Sequence, residues 1–203
     1  MSAMMDLQAV ARATAGKLVG DNVSFSGVST DSRSIADGEL FVALRGDRFD
    51  GHHYLAAAEA RGAGGAIVAA DSVDSLSGLS LPLVQVAETR LSLGALAADW
   101  RSRFNLPVLA VTGSNGKTTT KETVAAVLGT RGTTFATPRN ENSQIGAPLT
   151  ILATPDDTAF LVLELGTSEP GELDRLGAIA RPDVAVITAA FAEHLEWLGS
   201  VAG

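Results

Sequence analysis

The 203-residue chain carries 15 Lys+Arg against 23 Asp+Glu, a formal net charge of -8, with 46% apolar, 19% charged and 5% aromatic residues and no cysteine. This is globular composition; the missing cysteine excludes disulfides, cysteine catalysis and thiolate metal sites and fits a reducing compartment. No apolar run reaches the roughly 18–20 residues of a membrane span, Met1–Asp6 has no basic n-region followed by an apolar h-region, and an acidic chain is a poor general nucleic-acid binder.

The expectation is therefore a cytoplasmic α/β protein with neither membrane insertion nor a nucleic-acid partner. Residues 1–87 read as a small N-terminal α/β domain and 88–203 as a second, with the join around Ala87–Arg90. In the first, Val23–Val28 reads as a strand and Thr30-Asp31-Ser32-Arg33 as a polar turn. Leu40–Leu44 is a short apolar run, best taken as a buried strand. Gly46–Gly51 reads as a loop, His52–Arg61 as a helix ending near Gly62, and Ala66–Ala70 and Leu83–Val86 as strands. Asp71–Ser80 between them has loop composition. Thr89 is a plausible N-cap for a helix from Arg90 to about Phe104, with Leu91, Ala95, Ala98 and Trp100 as a rough apolar stripe.

Beyond Pro107 the pattern becomes repeated strand–turn–helix. Val108–Val111 runs into Thr112-Gly113-Ser114-Asn115-Gly116-Lys117-Thr118-Thr119-Thr120, and a helix follows to about Leu128. Thr133–Ala136 is a short strand, and Phe160–Leu165 an apolar strand with one acid, Glu164, near its end. Pro170-Gly171-Glu172 opens a helix whose Leu173, Leu176 and Ile179 share a face; Val184–Thr188 is the next strand. Such alternation predicts a P-loop-type parallel sheet flanked by helices, whose ligands bind at the carboxyl ends of the strands. The chain stops at Val201-Ala202-Gly203 with no closing element, so the second domain reads as incomplete.

Gly113, Ser114, Asn115, Gly116, Lys117, Thr118 and Thr119 carry the chemistry. Backbone N–H groups of a tight Gly-rich turn at a helix N-terminus make an anion site. Lys117 can set a point charge on phosphates, and the Thr118 hydroxyl can reach Mg²⁺. Val111 stands where the full G-x-x-x-x-G-K-[ST] spacing puts its first Gly, so an ordinary Gly-rich turn is the competing reading. Glu164 ends a buried strand and suits Mg²⁺, directly or through water; a solvated strand end is its alternative. His194 follows the next strand and reads equally as a surface or core residue. His52 and His53 are adjacent and make a poor metal pair. Trp100 and Trp197 read as packing residues.

The stretch Gly113–Glu122 closely resembles the ATP loop of the Mur ligases, which build the peptide stem of bacterial peptidoglycan. Thr30–Arg33, Leu40–Gly46 and Asp50-Gly51-His52 resemble their N-terminal domain, which binds the UDP end of the precursor. Asn140–Thr150 resembles an N-x-N-N-E-I-G-x-P-L-T stretch, Glu164–Glu172 an E-M-G-A-N-H-P-G-E stretch and His194–Ser200 an H-L-E-x-F-G-S segment. The first two favour the family member that joins D-alanyl-D-alanine to UDP-N-acetylmuramoyl-tripeptide. Ser143 and Gln144 depart from the family's Asn and Glu, and Glu169 from its His.

The resemblance implies an ATP-dependent amide ligase, this chain being about its first half and inactive alone; a monomer is the expected state, which the sequence does not itself set. It makes Lys117, Glu164 and His194 catalytic and Thr118, Glu164 and His194 magnesium ligands. Thr30, Ser32, Arg33, Arg45 and His52 become substrate-binding residues. A diaminopimelate- or lysine-adding Mur ligase, or a nucleotide-binding module without ligase activity, stands as the alternative.

Overall fold

Strands that must be covered on both faces read as continuous apolar runs, and three such runs organise the chain. The computed structural model describes residues 3–46, 49–75 and 78–191. It divides into two compact units, residues 1–96 and 97–203.

The first unit runs β1 (Met5–Asp6), α1 (Leu7–Ala13), β2 (Lys17–Val19), β3 (Ser24–Phe25), β4 (Val28–Ser29) and β5 (Leu40–Val42). It continues through β6 (Arg45–Gly46), β7 (Phe49–Asp50), a 3₁₀ turn Gly51–Tyr54, α2 (Leu55–Ala60), β8 (Gly65–Ala69), a second 3₁₀ segment Ala70–Ser75 and β9 (Leu83–Val86). A five-stranded sheet forms in the order β2-β9-β8-β5-β4. Its members are parallel except β2, which runs antiparallel to β9 at the edge. β5 and β8 are buried along their whole length. Phe41, Ala43, Ala66 and Val68 pack with Leu55 and Ala58 of α2 into one core cluster.

The run Val23–Val28 is not one strand. β3 pairs antiparallel with β1 and β4 pairs parallel with β5. Between them the Ser26 N–H turns to Gly38 O and Gly27 O accepts from Leu40 N, so the chain leaves one sheet for the other. The helix expected from His52 starts at Leu55, because the Asp50 carboxylate caps a 3₁₀ turn by accepting the His52 N–H at 3.0 Å.

α3 (Thr89–Arg101) spans the division between the units. Leu93, Leu96 and Ala97 are its buried apolar residues, while Leu91 is 58% exposed. The true i, i+3, i+4 stripe is thus rotated from the expected one.

The second unit continues with β10 (Val108–Thr112), α4 (Lys117–Gly129), β11 (Thr134–Ala136), α5 (Gly146–Leu152), β12 (Phe160–Glu164), α6 (Glu172–Ala180) and β13 (Val184–Ile187). The sheet order is β11-β12-β10-β13, with every pair parallel. α4 lies against β10, β11 and β12, and α5 against β12 and α6. The expected parallel sheet flanked by helices is the observed one. Leu161, Val162, Leu163 and Val111 are fully buried at its centre, whereas Ile187 of β13 is 71% exposed.

A helix leaves its last carbonyls without intrahelical partners. α6 solves this with Arg101, whose Nε donates to Ala180 O at 2.8 Å and whose second terminal nitrogen donates to Arg181 O at 3.0 Å. Burial pushes this guanidinium below its ordinary pKa, and nearby Asp183 opposes the shift. Arg101→Ala is expected to destabilise the second unit by about 1–3 kcal/mol, the cost of leaving buried acceptors unpaired. Urea unfolding checks this; an unchanged midpoint would mean that water satisfies both carbonyls.

Candidate functional site

The turn between β10 and α4 is shaped by two glycines in the left-handed region. Gly113 has φ +123°, and a Cβ there would collide with the Thr188 hydroxyl and the Ala189 backbone. Only glycine lets the turn press against the chain leaving β13. That contact is a clamp: Ser114 N donates to Ala189 O at 2.8 Å, Phe191 N to Ser114 Oγ at 2.8 Å and Thr188 Oγ1 to Asn115 O at 2.6 Å. Gly116, φ +81°, caps α4 and faces open space. The first N–H groups of a helix have no intrahelical acceptor and carry the positive end of its dipole, a ready anion site. Lys117 curls back over the turn, its Nζ donating to Gly113 O at 2.6 Å and Ser114 O at 3.2 Å.

Glu164 ends β12 directly beside Val111 of β10. It is 1% exposed. One carboxylate oxygen accepts from Thr118 Oγ1 at 2.9 Å and the other from Asn142 Nδ2 at 2.7 Å. Its backbone N–H donates to Thr137 Oγ1 at 2.9 Å. The strand-end acid is therefore held by the Gly-loop helix on one side and by the 137–142 loop on the other. Lys121, one turn into α4 and 0% exposed, holds that loop by donating to Thr137 O at 2.6 Å and Arg139 O at 2.8 Å. It also pairs with Glu122 at 2.8 Å. Gly146 lets α5 begin hard against the same loop, since a Cβ there would overlap the Glu141 backbone.

The described residues contain no cluster of three or more His, Cys, Asp or Glu side chains able to hold a metal. Glu164 with the Thr118 hydroxyl is instead a two-oxygen pair at a helix N-terminus. That suits Mg²⁺, which takes one or two carboxylates and fills its octahedron with phosphate and water oxygens. His194 lies outside the described residues.

Thr137 and Asn142 have no role that the sequence reading assigns, and Lys121 stands out there only as the second lysine beside the Gly-rich turn. The scarcity of lysine and the resemblance of Asn140–Thr150 to a family stretch were the available signals. The departures there have local reasons. Ser143 Oγ accepts from Ile145 N and Gly146 N, both at 3.3 Å, in the turn that leads into α5. Gln144 donates to the carboxylate of Glu172, which also accepts Ser168 N at 2.8 Å and Ser168 Oγ at 3.1 Å. Burial works against that carboxylate's charge, and these donors outweigh it, drawing it below the ordinary carboxylate range.

In the first unit Thr30, Ser32 and Arg33 line a cavity of about 550 Å³ together with Phe41, Phe49 and Tyr54. The Phe49 and Tyr54 rings stack at 5.4 Å and 15° and are half-exposed. Arg33 is tied to Asp31, Nε to Oδ1 at 2.9 Å and a terminal nitrogen to Oδ2 at 2.7 Å. That guanidinium holds the Asp31 carboxyl down to about 2. Arg45 lines a separate cavity with Ala69, Glu88 and Thr89 and pairs with Asp71 at 3.0 Å. His52 is buried: Nε2 accepts the Ala69 N–H at 2.9 Å, so Nδ1 carries the proton and faces Asp50. Both ring nitrogens thus serve the fold of the unit.

Sheet, glycine turn and buried strand-end acid together define an α/β protein built to present a helix N-terminus at the carboxyl edge of a parallel sheet. Residues 24–101 match the Mur ligase family, catalytic domain, and 111–203 the Mur ligase middle domain. The chain belongs to the Mur ligase family. It is 40% identical over 188 residues to the UDP-N-acetylmuramoyl-tripeptide–D-alanyl-D-alanine ligase of Escherichia coli K12, covering 93% of this chain and 40% of that one. The crystal structure I of MurF from Acinetobacter baumannii superposes with a TM-score of 0.87 at 34% identity, covering 96% of this chain and 43% of that one. MurF ligase from Thermotoga maritima in complex with ADP gives 0.76 at 35%, covering 87% and 40%. The chain thus spans about two-fifths of the length of these relatives.

Two outcomes follow from this geometry. Asn142→Ala leaves a buried carboxylate oxygen unpaired and is expected to cost about 1–3 kcal/mol. In a double-mutant cycle with Glu164→Ala the two losses should fall short of additivity; strict additivity would separate the two residues. The second concerns acid. Burial opposes ionisation of Asp50, but the His52 N–H and imidazole, with Arg45, outweigh it and lower the carboxyl from 3.8 to about 2. A depressed folded pKa gives stability that is complete above the unfolded value and lost as pH falls through the folded one. Asp50 should contribute about 1–2 kcal/mol above pH 4, vanishing toward pH 2. Comparing the acid unfolding of Asp50→Asn with the parent measures it, and parallel curves would refute it.

Proposed function

We propose that this chain is the substrate- and nucleotide-binding part of an ATP-dependent amide ligase. Its activity, as part of the full-length enzyme, is to join D-alanyl-D-alanine to UDP-N-acetylmuramoyl-tripeptide in peptidoglycan synthesis in the cytoplasm. The observation that carries this reading is the hydrogen bond from Thr118, on the helix of the Gly-rich loop, to the buried carboxylate of Glu164. It joins a phosphate-type loop to an acid on the neighbouring strand. The relatives named for that ligation, and the ADP-bound one among them, support the assignment of substrates.

In this reading the Gly113–Thr119 loop cradles the phosphates of ATP through the backbone N–H groups it leaves free, that of Ser114 being spent on Ala189 O, and Lys117 exchanges its two loop carbonyls for phosphate oxygens. Glu164 and Thr118 hold Mg²⁺, with His194 as a further ligand. When bound, the ion neutralises charge on the phosphoryl oxygens. The tripeptide carboxylate takes the γ-phosphoryl group of ATP, ADP leaves, and the dipeptide amine displaces phosphate from the acyl phosphate. The contribution of this chain is positioning and electrostatic stabilisation, which dominate phosphoryl transfer. The 550 Å³ cavity of the first unit suits the UDP end. The Phe49–Tyr54 pair offers a stacking face to a base, and Thr30, Ser32 and Arg33 offer donors to a diphosphate.

Lys117→Ala tests the loop. Titration calorimetry of the full-length enzyme with ADP and magnesium should show roughly ten- to a hundredfold weaker binding, the worth of one charge-assisted contact of about 1.5–3 kcal/mol. Unchanged affinity would remove Lys117 from the phosphate site.

A further inference from the structure

Lys121 is fully buried on α4, one turn beyond Lys117. A lysine ammonium has three donors and no acceptor. All three are spent: on Thr137 O at 2.6 Å, on Arg139 O at 2.8 Å and on Glu122 Oε1 at 2.8 Å. A cation so enclosed has a fixed place, and it fixes in turn what it touches. Two of its three partners belong to the 137–142 turn.

That turn is held in a conformation it would not keep unaided. Arg139 stands at φ +50°, in the left-handed region that is uncommon for a residue with a Cβ. Its side chain is exposed, and its carbonyl is the one that Lys121 takes. Such strain persists where the surrounding structure over-determines it. The far end of the turn is Asn142. Its backbone O accepts Gly166 N at 2.9 Å, and a Cβ on Gly166 would crowd its side-chain amide. That amide donates to one oxygen of Glu164 at 2.7 Å, while the other oxygen accepts from Thr118 Oγ1 at 2.9 Å. The last torsion of a glutamate is broad and soft. Tethering one oxygen therefore keeps the second aimed at Thr118; without the tether the carboxylate turns.

We propose that Lys121 is a positioning residue of the metal site: by fixing the 137–142 turn it keeps the Asn142 amide on Glu164, and so aims that carboxylate at Thr118 and at Mg²⁺. This rests on the reading of Glu164 and Thr118 as the magnesium pair. Lys121 itself touches neither ion nor nucleotide, since its donors are spent on the turn and on Glu122. Its loss should therefore appear in what the metal contributes to nucleotide binding and not in the affinity of the nucleotide alone.

The test is titration calorimetry of the full-length enzyme with ADP, once in EDTA and once in saturating Mg²⁺. The ratio of the two affinities is the gain that magnesium confers. Lys121→Met, close in length and uncharged, should cut that gain at least about fivefold while the affinity in EDTA stays within about twofold. Asn142→Ala should cut it as much, and the double variant no further, because both act through one hydrogen bond. Arg139→Pro leaves the buried lysine in place. It is an exposed change whose ring forbids a positive φ, so it moves the same carbonyl and should reproduce the loss even where Lys121→Met does not fold. An unchanged gain in Arg139→Pro or in folded Lys121→Met overturns the proposal, as do losses that multiply in the double variant. Equal weakening with and without magnesium also overturns it, since Lys121 would then serve the fold alone. No gain in the parent enzyme would overturn the magnesium reading, and the proposal with it.

Discussion

A carboxylate buried to 1% exposure must be paired, and much of the second unit is arranged around doing so for Glu164. Burying such a group without partners costs several kcal/mol. Its two oxygens are met by Thr118 and Asn142, and its own backbone N–H by Thr137. Each partner arrives on a different piece of chain. Thr118 comes with the first turn of α4, Thr137 with the end of β11 and Asn142 with the loop before α5. Satisfying one charge therefore fixes the register of a helix, a strand and a loop about one strand end. The glycine turn sits within that frame, so its open N–H groups face a defined place.

The first unit meets a buried titratable group differently. His52 is satisfied by two hydrogen bonds, its Nε2 accepting the Ala69 N–H and its Nδ1 facing the Asp50 carboxylate, whose side chain is 28% exposed. The histidine thereby anchors the Gly51–Tyr54 turn against β8. The neighbouring Phe49 and Tyr54 are left stacked on each other at the cavity that Thr30, Ser32 and Arg33 line.

What was legible in the sequence follows from the range of each interaction. Glu164 could be found because an apolar strand ending in one acid is a local pattern, and the Gly113–Thr118 turn because its glycines and lysine are contiguous. The parallel sheet was legible from strand–helix alternation alone. Asn142 and Thr137 were not, since they act across loops with no periodicity, and their partners lie 22 and 27 residues away; Lys121 showed only as a second lysine beside the turn, without its loop partners. The α3 stripe was misplaced because Leu91 is apolar yet exposed, while polar Ser92 and Arg101 are buried. His52 looked like a ligand donor beside a polar loop; only the fold shows its ring turned inward onto β8. Phe49 and Tyr54 were passed over because a stacked pair bridging a strand end and a 3₁₀ turn has no sequence spacing of its own.

The two lysines of α4 show how burial assigns different work to one residue type. Lys117 and Lys121 stand four positions apart, on one face of the helix. Both ammonium groups donate to two backbone carbonyls. Lys121 is 0% exposed, so moving it would strip the buried Thr137 O of its donor where water does not replace it, a loss of about 1–3 kcal/mol, and release the part-buried Arg139 O as well. Lys117 is partly exposed, and its carbonyl partners belong to a surface turn where water can replace it. Exchanging those neutral acceptors for an anion at the helix N-terminus is then favourable, because ionic hydrogen bonds are about twice as strong as neutral ones. In a chain with only three lysines and a net charge of -8, the cation that can move is the one aimed at the anion site. The cation that cannot move holds the loop that carries the partner of Glu164.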